Sequence, residues 1–137
     1  MHGYIPTRTT VYVGLTLGST TGHRNISDEQ AFAAMKAAAD AGATFWNAGI
    51  FYGWGPNGEA RNIELLARFF TEYPEYADKI FLSVKGGLQL NWQVDGSDEF
   101  LRKDVDNVLE ILNGKKKLDM FECCRVDPKT YGTFCHF

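Results

Sequence analysis

Hydrophobic residues along this chain switch repeatedly between two periods. In AFAAMKAAAD (31–40) and RNIELLARFF (61–70) they recur every three to four residues. Ile63, Leu66, Ala67 and Phe70 fall on one stripe, the mark of a helix that buries one face. A third stripe runs through Leu101, Val105, Val108 and Leu112. Between the stripes lie short runs that are apolar on both faces: residues 44–47, IFLSVK (80–85) and MFECCRV (120–126). Such runs suit strands of a parallel sheet covered by helices. The earlier run VYVGLTLGST (11–20) also reads as strand, with Gly14 and Gly18 suggesting a hairpin or a close backbone approach.

Punctuation residues agree with this division. Ser27 with Gln30 forms a capping box, and Asp28 and Glu29 favour the positive helix end. Gly42 supplies a C′ residue for the alanine-rich helix. Pro74 lies just beyond the second helix, Ser97 caps the third, and Asn113-Gly114 stops it. The order predicts an α/β protein with a parallel sheet of about four core strands. Strand starts near 44, 80 and 120 fit βα units with generous loops, and residues 1–137 form a single domain without an internal repeat.

Composition narrows the function classes. The chain has 137 residues, 45% of them hydrophobic and 23% charged, which is ordinary for one globular domain. It falls well below the roughly 250 residues of a complete eight-unit βα barrel. A net charge of -3 and no basic stripe exclude a nucleic-acid binder. Lys115 to Lys117 read as a solvated loop. Cys123, Cys124 and Cys135 give an odd count with no C-x-x-C spacing. No disulfide framework or metal site is expected, the compartment is reducing, and Cys123 and Cys124 read as buried small residues. With no apolar leader and no membrane-length apolar run, a soluble cytoplasmic protein is expected.

In parallel α/β architectures, ligands bind beyond the carboxyl ends of the strands. The residues there are Asn47 and Tyr52 after the second strand, Lys85, Gly86 and Gly87 after the third, and Cys124, Arg125 and Asp127 after the fourth. Tyrosine and lysine at neighbouring strand ends have a specific use. A phenol, with its ordinary pKa near 10, is a poor proton donor at neutral pH. A lysine cation beside it makes it a workable general acid toward a carbonyl oxygen that is receiving hydride. The residues alone leave two readings open: a tyrosine that packs its ring in a loop beside a strand-end lysine, or a catalytic pair.

The stretch GATFWNAGIFYG, then FLSVKGGL, then LDMFECCRVDP together resemble the first half of an aldo-keto reductase, specifically its fungal pyridoxal reductase branch. The resemblance runs from about Val13 to Pro128. It implies the N-terminal half of a (β/α) TIM-type barrel, preceded by a hairpin that closes the barrel base. It further implies NADPH-dependent reduction of an aldehyde, pyridoxal to pyridoxine, with Tyr52 as proton donor and Lys85 beside it. Asn47 stands where most of the family has aspartate and is expected to accept a hydrogen bond from Lys85; Cys124 stands where most has histidine. Thr16, Leu17, Gly18 and Ser19, with Asn47, would border the nicotinamide, so Trp46 and Trp54 are expected to flank the site. The tail KTYGTFCHF departs from the family pattern, and a truncated product is expected. The alternative function is a catalytically inactive half-barrel that acts by self-association, as a homodimer through its exposed edges, or as an interaction module.

Overall fold

The computed structural model describes residues 10–12, 26–52, 61–89 and 91–130. Four strands, β1 (Thr10–Tyr12), β2 (Phe45–Gly49), β3 (Phe81–Gly86) and β4 (Met120–Cys123), form one sheet in the order β1-β2-β3-β4. Every neighbouring pair is parallel. Helices α1 (Asp28–Asp40), α2 (Arg61–Glu72) and α3 (Asp98–Leu112) provide the connections, and a 3-10 turn at Pro74–Tyr76 follows α2. The structure therefore has the α/β architecture with four parallel strands that the alternating pattern predicts. Of the run 11–20 read as strand with a hairpin, Val11 and Tyr12 belong to β1, and the rest falls outside the described residues.

The helix boundaries follow their caps. Ser27 Oγ accepts the Gln30 N–H at 3.3 Å, and Ser97 Oγ accepts the Phe100 N–H at 3.3 Å, each relieving an orphan donor of the first turn. Gly42 takes φ +87° just after α1, and Asn113 with Gly114 take φ +45° and +71° after α3. These are the left-handed positions that end helices.

Alternation along the strands separates two faces. Trp46, Ala48, Leu82 and Val84 point to the helices and are fully buried with Phe69, Phe70, Ile63 and Leu66 of α2, Met35 of α1 and Val108 and Leu112 of α3. The Trp46 ring lies 5.4 Å from Phe69 and 5.8 Å from Phe70, and its indole N–H donates to Ala43 O at 2.9 Å. The opposite face carries Asn47, Ser83, Lys85 and Glu122. Trp46 is thus a core residue on the far side of the sheet from the strand-end polar groups, not a flank of the site.

Three other expectations change. Strand β4 stops at Cys123 instead of Val126. Its partner β3 ends at Gly86, and Gly87 turns away with φ +80°, so only the Cys124 N–H still reaches Gly86 O, at 2.8 Å. Because β4 is the sheet edge, Cys123 is exposed and Cys124 half-buried. The basic run is not uniformly solvated either. Lys116 is only 5% exposed, with its Nζ 2.6 Å from Asp119 Oδ2. Among the described residues no helix is long and apolar enough to cross a membrane.

Asp119 sets the entry of β4. Its Oδ2 accepts both the Lys116 ammonium and the Leu82 N–H (2.9 Å), and its own N–H donates to Leu82 O at 3.1 Å. Burial pushes its carboxyl up, but the Leu82 N–H and Lys116 outweigh that, and the net shift is downward from the ordinary carboxylate value. A carboxyl held below its unfolded value contributes stability above that value and loses it as pH falls through the folded one. The Asp119→Ala variant should lose about 1–3 kcal/mol of stability at neutral pH in urea denaturation. The Asp119→Asn variant should show a shallower loss of stability on acidification; acid curves parallel to those of the wild type would contradict this role.

Candidate active site

The turn after β2 begins with Gly49 and is pinned from three sides. Ile50 N–H donates to Lys85 O at 3.0 Å, Tyr52 N–H to Gly49 O at 3.0 Å, and Gly49 N–H to the side-chain oxygen of Asn62 at 3.3 Å. Asn62, fully buried in the first turn of α2, also donates its own N–H to Tyr52 O at 3.3 Å. It ties both ends of the turn to the helix. A Cβ at Gly49 would lie 3.1 Å from two carbons of the Tyr52 ring and 3.3 Å from Phe51. Glycine here therefore lets the ring fold back over the end of β2. Gly53 and Gly55 lie outside the described residues.

Lys85 reaches the same place from β3. Its register partner on β2 is Gly49 and on β4 Glu122, and its Nζ stands 4.9 Å from the centroid of the half-buried Tyr52 ring. That is cation–π range. The ammonium faces the ring of the phenol.

Asn47 lies one step back along this face, 7% exposed. Its Nδ2 donates to Glu122 Oε1 and, at 3.4 Å, to Ser83 Oγ. The Ser83 hydroxyl donates to the same Glu122 oxygen at 2.6 Å. Asn47 Oδ1 has no hydrogen-bond partner among the described residues. The expected acceptance of a Lys85 hydrogen bond is therefore replaced by donation to Glu122. Sequence reading missed Glu122 and Ser83. The signal available for them was alternation: both share a strand face with Lys85.

Cys124 follows β4 at the same end of the sheet. Arg125 Nη1 contacts its carbonyl at 3.1 Å and its Sγ at 3.8 Å. Asp127, singled out with it, is structural. It accepts the Gly96 and Lys129 N–H groups at 2.9 Å each, and these hold its carboxyl below the ordinary range. The structure thus brings Asn47, Tyr52 and Lys85 to one end of β2 and β3, with Cys124 beyond β4. Thr16, Leu17, Gly18 and Ser19 fall outside the described residues.

The parallel βα units are of barrel type, and comparison with known proteins gives the family. The aldo/keto reductase family matches residues 14–135, and the chain belongs to that family. It is 46% identical over 119 residues to a "Probable pyridoxal reductase 2" of Schizosaccharomyces pombe, a match over 85% of this chain and 35% of that protein. To an uncharacterized oxidoreductase of the same yeast it is 39% identical over 120 residues, 86% of this chain and 35% of the other. The chain spans about a third of the length of these curated relatives. Two solved structures from Pseudomonas aeruginosa, each titled a "putative aldo-keto reductase", share its fold, with TM-scores of 0.64 and 0.62 at 18% identity. Each match covers 84% of this chain and about two fifths of the other, 41% and 40%.

The Glu122 carboxylate is the shared acceptor of two buried donors, so removing it should be felt in stability. Glu122→Leu should cost about 2–4 kcal/mol in chemical denaturation, because Asn47 Nδ2 and Ser83 Oγ both lose their acceptor inside the sheet face. Glu122→Gln keeps an acceptor oxygen and should cost less than half as much. Equal losses for the two variants would contradict the shared-acceptor role.

Proposed function

We propose that this chain carries the carbonyl-reducing site of an NADPH-dependent aldo-keto reductase acting on an aldehyde, with pyridoxal as the substrate and pyridoxine as the product. The observation that carries the proposal is the placement of Lys85 Nζ over the ring of Tyr52 at the ends of β2 and β3, in a chain of this family. The pyridoxal reductase name of the yeast relative supports the choice of substrate.

The Tyr52 hydroxyl gives its proton to the carbonyl oxygen as the C=O π bond breaks, so that the aldehyde becomes a primary alcohol. The Lys85 cation stabilises the negative charge left on the phenol oxygen. Bound NADPH supplies the hydride that forms the new C–H bond. Asn47 has the chemistry to meet the nicotinamide end: its Nδ2 is engaged by Glu122 and Ser83, while its Oδ1 has no donor among the described residues and suits an amide N–H. Asn47 with Thr16, Leu17, Gly18 and Ser19 would hold that end. Cys124 takes the place of a histidine in this proposal. A thiol is a weak donor toward a substrate oxygen, which leaves Tyr52 as the main one.

Tyr52→Phe keeps the ring under Lys85 and over Gly49 but removes the proton. Its pyridoxal reduction should fall by at least about 10²-fold, followed as loss of NADPH absorbance, with thermal stability close to that of the wild type. Unchanged turnover would sink the assignment.

A second reading is favoured by the sheet edge. Strand β4 carries Met120 at 38% exposure and Cys123 exposed, and Val126 just beyond it is also exposed. Such an edge suits pairing with a second copy of the chain in a catalytically inactive assembly. Sedimentation velocity at micromolar concentration should then show a dimer, and a strictly monomeric, folded species would contradict this reading.

A further inference from the structure

An asparagine side chain carries a donor and an acceptor of nearly the same shape, so its amide can stand in either of two orientations. At Asn47 two neighbours force the choice. Its Nδ2 donates to Glu122 Oε1 and, at 3.4 Å, to Ser83 Oγ. A carboxylate only accepts. Ser83 could donate to the amide, but its one proton is committed to the same Glu122 oxygen at 2.6 Å. It therefore turns a lone pair toward Asn47. Flipping the amide would set its oxygen against two acceptors with no proton between them.

The forced orientation leaves one atom unsatisfied. Oxygen and nitrogen diverge from the amide carbon, so with Nδ2 held by Glu122 and Ser83 the Oδ1 atom turns away from both. That oxygen is buried, on a side chain only 7% exposed, and has no hydrogen-bond partner among the described residues. Buried acceptors are ordinarily satisfied, and one that is not calls for a donor from water or a ligand. Its place in the fold suits a ligand. Asn47 lies on β2 just before Gly49, Gly49 pairs in register with Lys85, and Lys85 pairs with Glu122. The unsatisfied oxygen thus belongs to the strand face of the lysine, beside the turn that carries Tyr52.

We propose that Glu122 is a positioning residue for the cofactor: acting on Asn47 directly and through Ser83, its carboxylate fixes the amide so that Oδ1 meets an N–H or O–H of the nicotinamide nucleoside. This rests on the reading of the chain as an NADPH-dependent reductase. Glu122 itself touches neither cofactor nor substrate. Its effect is to turn a reversible side chain into a dedicated acceptor. Glu122→Gln keeps the shape but undoes this, because its amide can donate. Asn47 then flips to accept from it, and the oxygen that would have met the cofactor is satisfied inside the protein. In Glu122→Leu nothing holds either orientation.

The test compares the full chain as wild type, Glu122→Gln and Glu122→Leu. In the cofactor-free state, NOEs from the Asn47 Nδ2 protons to the Ser83 side chain report the amide orientation. NADPH affinity is read from the fluorescence of the dinucleotide, and thermal stability is followed alongside. The NOEs should be present in the wild type and weakened or lost in both variants. Both should bind NADPH roughly three- to tenfold more weakly, although Glu122→Leu is much the less stable. Ser83→Ala, which leaves the Glu122 bond to Nδ2, should lose less than about twofold. An Asn47 amide that keeps its orientation in Glu122→Gln, or affinity losses that simply follow the losses of stability, would overturn the positioning role and leave the reductase reading standing. A changed orientation in Glu122→Gln, in a chain that binds no NADPH even as wild type, would uphold the orienting of Asn47 by Glu122 and overturn the reductase reading instead.

Discussion

The parallel register of β2, β3 and β4 is the constraint on which the rest of this molecule depends. It sets Asn47 opposite Ser83 and aligns Gly49, Lys85 and Glu122 in one row across three strands. Because side chains alternate, the same register fixes the other face: Trp46, Ala48, Leu82 and Val84 must meet the helices. A slip of one residue would drive Lys85 into the aromatic core around Phe69 and expose Trp46. Burial of that core therefore decides where the polar groups stand, although none of those groups contributes much to the burial.

Small residues then convert the register into a site. Gly49 leaves the space into which the Tyr52 ring folds, and Asn62 clamps both ends of the turn. Gly86 does the same for the neighbouring strand: a Cβ there would come within 2.4 Å of the Phe121 ring and 2.6 Å of Asp104. The Asp104 side chain accepts the Gly87 N–H at 2.8 Å, and burial pushes its carboxyl up. Loop directions at this end of the sheet are thus set by buried or half-buried polar clasps, with Asp95 and Asp127 repeating the device further out.

What the sequence made legible was mostly local. Helix stripes, the Ser27 and Ser97 caps and the left-handed stops at Gly42 and Gly114 depend on neighbours within about one helical turn, and the structure reproduces them. Of the strand-end groups, Tyr52 and Lys85 were found because their residue types are chemically unusual there. Glu122 was missed because its bond to Asn47 spans 75 positions in sequence, and a glutamate in a short strand looks like a solvated edge residue. The Lys116–Asp119 pair hid inside a basic run for the same reason: burial is a tertiary fact. The exposure of Cys123 follows from β4 being the sheet edge, which residue type cannot reveal.

The most direct test of the account is a titration of isotopically labelled chain with NADPH, following the Asn47 side-chain amide and the Lys85 side chain by NMR. Saturable shifts are expected at both, with smaller changes at Glu122, which holds Asn47 in place. No saturable change at these groups, or changes confined to the outer groove lined by Asp28, Phe32, Arg68 and Lys115, would contradict it.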